Sequence, residues 1–173
     1  MRKFTSMSAL LAAGALLVAG SASAASMTTT FTVTATVLAA CTLSAGSTLA
    51  FGNYTPGGGA VNATNTVLVA CTNGTAYTVA LNGGTTTGGT LAQRLMAQQP
   101  SGSGTLQYQL YTSSSDSSVW GDDTGSSVIQ GGTGTGLGNP ASYTVFGNLP
   151  DNATNRNAAT ASYQDTITVI LTF

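Results

Sequence analysis

The side chains that most often perform catalysis are nearly absent from this sequence. Its 173 residues include no histidine and no glutamate, and the five acidic residues are all aspartates. Of the four cations, Arg2 and Lys3 stand at the start of the chain, which leaves Arg94 and Arg156. With aspartate as the only remaining general base, acid–base and nucleophilic catalysis lack most of their usual groups. The composition therefore predicts a protein that is not an enzyme.

One group of aspartates surrounds the single tryptophan. Asp116, Asp122 and Asp123 lie within a few residues of Trp120 and could ligate calcium or hold a sugar against the indole ring. A calcium loop needs more oxygen ligands at a regular spacing. A solvated loop beside a core tryptophan is therefore the preferred interpretation, and we predict no metal and no cofactor.

Asp165 shares the parity of the apolar residues in the last predicted strand. A carboxylate that faces inward, or lies at a sheet edge, needs a hydrogen-bonding or charged partner. Arg94 or the backbone amides of a turn could provide it. We expect a structural role for Asp165.

Cys41 and Cys71 are the only cysteines. A two-thiolate metal site would lack further ligands, because the chain has no histidine. In an exported protein the pair is expected to form one disulfide.

The start of the chain has the features of an export signal. Arg2 and Lys3 precede an apolar run from Ala9 to Ala19, and small residues follow at Ala22 and Ala24. This pattern predicts a signal peptide over residues 1–24, with an apolar run too short to span a bilayer. The remaining two arginines and five aspartates give a net charge of minus three. Without a basic patch, neither nucleic-acid binding nor direct membrane binding is expected.

Residues 27–41 show an alternation between two kinds of side chain. The even positions from Thr28 to Thr36 are all threonine, whereas the odd positions are mostly apolar. A period of two predicts an extended strand with one buried face, and threonine favours extended backbone. Residues 163–173 repeat the pattern, which predicts a final strand.

Further short strands are predicted between turn residues. Their inward faces carry Val67 and Val69, then 77, 79 and 81, then 106, 108 and 110, then 143, 145 and 147. Residues 91–97 fit a helical turn or a strand equally well, and the glycine-rich residues 131–138 are predicted to be a loop. Seven or eight strands without a convincing amphipathic helix predict an all-β fold, a two-sheet β-sandwich.

Several short motifs fall in one order along the chain, and together they resemble the spore coat protein U family, which includes subunits of archaic chaperone–usher pili of the Csu type. They are Cys41, Phe51-Gly52-Asn53-Tyr54, Val69-Ala70-Cys71, Tyr77-Thr78-Val79-Ala80-Leu81, Gly83-Gly84, Arg94-Leu95-Met96, Leu106-Gln107-Tyr108-Gln109-Leu110-Tyr111, Val119-Trp120-Gly121-Asp122, Phe146-Gly147-Asn148-Leu149-Pro150 and Tyr163-Gln164-Asp165-Thr166-Ile167.

The resemblance implies an immunoglobulin-like β-sandwich that lacks its last strand and is completed by a strand from a neighbouring subunit. It implies a donor extension over residues 25–38 and a sandwich domain over residues 39–173. The donor side chains would be Phe31, Val33, Ala35 and Val37. The acceptor groove and the chaperone contact would involve Ile167, Val169, Leu171 and Phe173, the last through its carboxylate.

The resemblance also implies the partners and the destination of the protein. Identical or related subunits, a periplasmic chaperone and an outer-membrane usher would carry it through the periplasm to a surface fimbrium that supports attachment and biofilm formation. From alternation alone, residues 27–37 could equally be the first strand of a self-contained sandwich. Two other functions stay open: a secreted spore or cyst coat protein, and a glycan-binding module with Trp120, Tyr108 and Tyr111 as its aromatic surface.

Overall fold

A computed structural model describes residues 23–173. Residues 1–22, which hold all but the end of the predicted signal peptide, lie outside the described part. The chain divides into two compact units, one ending at Thr36 and the other comprising Val37–Phe173.

The segment before the first cysteine has no regular secondary structure. Residues 23–40 contain neither helix nor strand, and the side chains of Phe31, Val33 and Val37 are 87%, 81% and 86% exposed. The predicted strand over residues 27–41 is therefore wrong for the chain by itself. Alternation specifies which face would be buried, but a strand also needs a neighbouring backbone with which to form hydrogen bonds.

Nine strands and one short helix follow in the part of the chain that the structure describes. They are β1 (Cys41–Ala45), β2 (Val61–Cys71), β3 (Ala76–Leu81), β4 (Arg94–Gln99), β5 (Thr105–Tyr111), β6 (Gln130–Thr133), β7 (Ala141–Leu149), α1 (Ala153–Arg156), β8 (Ser162–Gln164) and β9 (Val169–Thr172).

The strands form two antiparallel sheets. The larger has six strands in the order β1-β2-β7-β5-β4-β8, and the smaller has three in the order β6-β3-β9. Every pairing between these strands is antiparallel. The predicted all-β class is confirmed.

A single hydrophobic cluster combines residues of both sheets. Val79 and Leu81 of β3 are at most 1% exposed, as are Val67 and Val69 of β2. The predicted inward faces of these strands are confirmed. Trp120 is fully buried in the same cluster and donates its indole N–H to the carbonyl of Val79 at 2.9 Å.

Two predicted segments differ from the structure, and the structure decides a third that the sequence left open. Residues 163–173 are not one strand: β8 pairs with β4 in the larger sheet, whereas β9 pairs with β3 in the smaller sheet. The glycine-rich residues 131–138 are only partly a loop, because β6 includes the first three of them. The ambiguous residues 91–97 contribute to β4. In each case the outcome depends on a strand distant in sequence, which local periodicity does not reveal.

The predicted disulfide is confirmed. Cys41 and Cys71 are bonded, with their Cα atoms 4.1 Å apart, and they are directly opposite in the β1–β2 ladder. Their sequence separation is 30 residues. Closing a loop of that length stabilises a fold by roughly 3 to 4 kcal/mol in the chain-entropy model.

Candidate functional site

The described residues of the second unit enclose one large groove. Its volume is about 1030 Å³, and its floor is the hydrophobic core itself. One bank consists of residues 45–54 and the other of residues 158–167 together with Val169. The core residues that form the floor are Val67, Leu81, Leu106, Tyr108, Leu110, Val145 and Leu149.

Part of the backbone in each bank is free to pair. Residues 47–53 follow β1 but belong to no strand, and they make no backbone–backbone hydrogen bond within the part of the chain that the structure describes. Residues 165–167, between β8 and β9, likewise make none. Unpaired backbone N–H and C=O groups along an edge are a template for an added strand.

The groove also lies between free edges of the two sheets. Strand β1 is an edge of the larger sheet and β9 is an edge of the smaller one. Ala45, the last residue of β1, and Val169, the first residue of β9, both line the groove. An extended segment inserted here could therefore bond to both sheets and cover the core.

Side-chain packing holds the first bank over the floor. The ring of Phe51 meets that of Tyr108 edge to face, with centroids 6.1 Å apart. Behind it, a Cβ on Gly147 would lie 2.8 Å from Leu49 and 3.1 Å from Phe51. Glycine at position 147 lets this bank approach β7 closely.

The Asp165 carboxylate fastens the second bank to the end of β3. One of its oxygens, Oδ1, accepts the backbone N–H groups of Thr85 and Thr86 at 2.9 and 3.0 Å and both of their hydroxyls. The other accepts the Tyr108 hydroxyl at 2.6 Å. A Cβ on Gly84 would lie 2.0 Å from this carboxylate, and Gly84 has a φ of +95°, so only glycine fits there. Of the two expected kinds of partner, the turn amides are the ones that bond to Asp165.

These contacts shift the titration of Asp165. Burial raises the pKa of Asp165, but the hydrogen bonds from Tyr108, Thr85 and Thr86 together lower it by more than burial raises it. The folded-state pKa therefore lies below the ordinary value. The unfolded chain therefore takes up this proton at a higher pH than the folded protein does. The stabilisation is present above the unfolded pKa of about 4 and is lost as the pH falls through the folded pKa.

We expect Asp165→Asn to lower the free energy of unfolding at neutral pH by about 1 to 2 kcal/mol. This is the lower part of the range for hydrogen bonds to a charged group, because solvent partly reaches the carboxylate. Since the wild-type protein loses this contribution in acid, the two proteins should converge as the pH falls below 4. Urea unfolding as a function of pH measures the difference. Asp116→Asn is the matched control, because the Asp116 side chain makes no hydrogen bond within residues 23–173. A difference that stayed constant with pH would contradict the assignment.

Arg94, expected as a possible partner of Asp165, instead binds neutral groups. Its side chain is fully buried. It donates to the carbonyl of Asn82 at 2.8 and 3.0 Å, to the carbonyl of Trp120 at 2.7 Å, and to the amide oxygen of Gln109. Burial lowers its pKa, and Tyr108, Asp165 and Asp122 oppose this shift through space. Arg94 thereby joins three distant segments beneath the groove.

Two polar residues that the sequence analysis missed close the far part of the groove. Asn155, fully buried, accepts the N–H of Gln107 at 2.8 Å and donates to its carbonyl at 2.9 Å, so that its amide continues the β5 ladder. Asp151 accepts the hydroxyl of the groove residue Tyr54 at 2.6 Å and pairs with Arg156 at 3.0 Å. The hydrogen bonds from Arg156 and Tyr54 hold the Asp151 pKa well below its usual range. The sequence signal that could have indicated the helix that holds Asn155 is Asn152, three residues earlier, which caps the start of α1.

The structure places the predicted groove residues in two groups. Ile167 and Val169 line the groove, whereas Leu171 lies half-buried on β9 and Phe173 is 59% exposed, outside the lining. The predicted donor side chains Phe31, Val33, Ala35 and Val37 are all exposed. Their entry into another subunit stays a prediction.

The aromatic surface proposed for glycans does not exist. Trp120 is fully buried and Tyr108 is 5% exposed, so this prediction is wrong: both rings belong to the core.

Asp122 accepts from the backbone and hydroxyl of Thr124 at 3.0 and 2.5 Å, as expected for a solvated turn. Within residues 23–173 no three potential metal ligands cluster.

Comparisons with known proteins point in one direction. A family model described as Spore Coat Protein U domain matches residues 27–170. Among solved structures, the chain is similar to a chain of the CsuC–CsuE chaperone–tip adhesion subunit pre-assembly complex from archaic chaperone-usher Csu pili of Acinetobacter baumannii. The TM-score is 0.53 and the identity 23%, over 80% of this chain and 41% of that one. At this identity the likeness concerns the fold. No curated protein sequence matches significantly.

Proposed function

Because the chain belongs to the Spore Coat Protein U domain family, we propose that it is a structural subunit that polymerises into a surface pilus by donor-strand exchange. The family is a structural one, and the chain is not an enzyme, in agreement with its lack of catalytic side chains. The observation that carries the proposal is the groove, which lies directly above core residues and between unpaired backbone segments.

The groove supports the idea of a sandwich that lacks one strand. In an immunoglobulin-like sandwich a strand at this place would pair with the edges of both sheets and cover the core. Here residues 45–54 and β9 lie on either side of the opening. A strand supplied by a second molecule would complete the fold by strand addition.

The N-terminal extension has the composition that such a strand requires. Phe31, Val33, Ala35 and Val37 share one face, and threonines occupy the other. Each apolar side chain that enters a neighbour's groove would contribute at most about 1 to 3 kcal/mol, with alanine contributing least. The extension of one subunit therefore completes the next, and a chain with both a donor and a groove can form a continuous fibre.

Before assembly, the open core needs a temporary cover. A periplasmic chaperone that lends a strand, contacting Ile167, Val169, Leu171 and Phe173, would serve this purpose, and an outer-membrane usher would exchange that strand for the next subunit's extension. The crystallised similar chain belongs to a chaperone–subunit complex, which favours this route. The protein would then pass through the periplasm to a fimbrium used in attachment and biofilm formation.

Deleting residues 25–37 tests the proposal directly. The truncated subunit should retain its groove, accept the extension of a full-length subunit and be unable to donate one, because its own donor side chains are gone. It should therefore terminate growing fibres. Electron microscopy of mixtures should show shorter fibres as the truncated fraction increases.

The control restores the missing strand as a synthetic peptide of residues 25–39. This peptide should bind the truncated subunit and raise its unfolding temperature, because a ligand that binds only the folded state stabilises it. Fibres built from truncated subunits alone would refute the proposed function.

The family's description also favours a second candidate, a spore or cyst coat protein. The same strand exchange would then build a layer around a dormant cell instead of a pilus. Immunogold labelling of growing and dormant cells separates the two: filaments on growing cells indicate a pilus, and a continuous shell on dormant cells indicates a coat.

A further inference from the structure

We propose that consecutive subunits also meet at a second, apolar contact, in which Leu137 of one copy packs against the next copy of this chain beside the mouth of its groove. This inference rests on the proposed donor-strand function. It adds a surface that would set the angle between subunits after the strand has been inserted.

Leu137 stands at the tip of a well-braced turn formed by residues 134–139, here called the Leu137 turn. Gly134 donates to the carbonyl of Thr75 at 2.8 Å, Gly136 to that of Cys71 at 3.0 Å, and Asn139 to that of Gly136 at 3.0 Å. A Cβ on Gly134 would lie 2.7 Å from the Cβ of Cys71, so the turn packs directly on the end of β2. The Leu137 side chain is nevertheless 49% exposed.

The turn lies at the root of the extension. Gly136 bonds to Cys71, whose Cα is 4.1 Å from that of Cys41. Ala40, immediately before Cys41, accepts the N–H of Thr72 at 2.9 Å. The chain is thus fixed to the body up to Ala40, and a braced leucine stands next to that point.

The length of the linker brings the neighbour close. Only three residues separate Val37, the last predicted donor side chain, from Cys41, and four extended Cα steps span at most about 14 Å. Once Val37 is in the groove, the neighbour's surface must lie within this distance of Cys41. The exposed leucines near this point are Leu38 at 77%, Leu137 at 49%, and Leu43 and Leu68 at 37% each, so Leu137 is the most exposed of those that the body holds in place.

Ion pairs can contribute little to this contact between copies. Within residues 23–173 the cations are Arg94, which is fully buried, and Arg156, which is paired with Asp151. An interface between copies must therefore rely mainly on apolar and neutral polar groups. Its strength should depend little on ionic strength, because screening acts on charges.

A photo-crosslinking amino acid placed at position 137 of the full-length subunit tests the contact. In assembled fibres it should capture a second copy, with equal yield at low and high salt. Thr64 is the control position, exposed on the outer face of β2 and about 23 Å along that strand from Cys71. The same probe at position 31 reports on strand insertion itself.

The outcomes separate the two proposals. Crosslinks at 31 and 137 but not at 64 support both. Crosslinks at 31 without crosslinks at 137 overturn the second contact alone, whereas no crosslinks at 31 overturn the donor-strand function. Leu137→Ser should also make fibres more flexible in electron micrographs. The fraction of subunit pairs that form the Leu137 contact should fall roughly tenfold, as expected for loss of a leucine's apolar burial. Thr64→Ala, at the exposed control position about 23 Å along β2 from Cys71, should have neither effect. Equal flexibility of the two variants would overturn the contact.

Discussion

Replacing Phe31 and Val33 together by aspartate is expected to abolish fibre formation. Both side chains are more than 80% exposed in the chain by itself, so the substitutions should not affect the fold of the body. In the fibre, each would lose about 1.5 to 3 kcal/mol of apolar burial and would also bring a charge into the groove. Since each 1.4 kcal/mol is tenfold in affinity, strand exchange should weaken at least a hundredfold.

The opposite face of the extension provides a matched control. Thr30→Asp with Thr32→Asp introduces the same two charges one residue earlier, on the face that would remain in solvent. These fibres should form normally. Measuring denaturant-resistant multimers and imaging fibres by electron microscopy tests both variants, and equal loss in the two pairs would show that charge, not facial burial, limits assembly.

Arg94→Met is expected to be the most destabilising single substitution in the body. It removes the side-chain donors of the Asn82 and Trp120 carbonyls, whereas the Gln109 amide oxygen keeps a second donor, the N–H of Leu110. Each unsatisfied buried acceptor costs about 1 to 3 kcal/mol, so the free energy of unfolding should fall by about 3 kcal/mol or more. Equilibrium urea unfolding gives this value directly.

Two variants separate the geometry of Arg94 from its charge. Arg94→Lys keeps the charge but lacks the planar fork that serves three acceptors, so it should also be strongly destabilising. Arg156→Met removes the other arginine of the body, whose side chain is 55% exposed. Its effect should be smaller, because the Asp151 side chain, which is 7% exposed, keeps its hydrogen bonds from Tyr54, Gly57 and Gly59 when Arg156 is lost. A fully stable lysine variant would show that charge alone is sufficient.

The groove has consequences for the free subunit. Its floor consists of the same residues that form the core, including Leu81, Val145 and Leu149. These floor residues are at most 6% exposed, but the backbone edges beside them are unpaired. Unpaired edges promote aggregation, so the chaperone proposed above would protect the free subunit by pairing with them.

Periodicity predicted which faces of the strands are buried, because this information is local. Alternation of apolar and polar residues placed Val79, Leu81, Leu106 and Leu110 inside, and the structure confirms each of them. The disulfide also followed from the sequence, since two cysteines in an exported chain have one possible partner each. The sequence alone also showed that histidine and glutamate are absent, which leaves aspartate as the general base.

The same reasoning failed wherever the outcome depended on a distant partner. Residues 27–41 have the alternation of a strand, yet those from 27 to 40 are not a strand, because alternation alone does not supply a backbone with which to pair. Residues 163–173 alternate throughout but leave one sheet and enter the other. The alternating pattern looks the same whether or not a segment has a neighbouring strand. It indicates which side chains share a face, but not which strand pairs with the segment.

The polar network beneath the groove was even less accessible from sequence. That Asp165 needs a partner could be inferred from its parity, but its bonds to Thr85, Thr86 and Tyr108 join segments 57 or more residues apart. Arg94 and Asn155 are polar residues in buried positions, and most of their partners are backbone carbonyl and N–H groups, which carry no sequence signature. The sequence by itself thus determined the class of fold, the buried faces, the disulfide and the family. Only the tertiary structure decided where the core remains open and which polar groups hold the groove in shape, because both depend on contacts between segments distant along the chain.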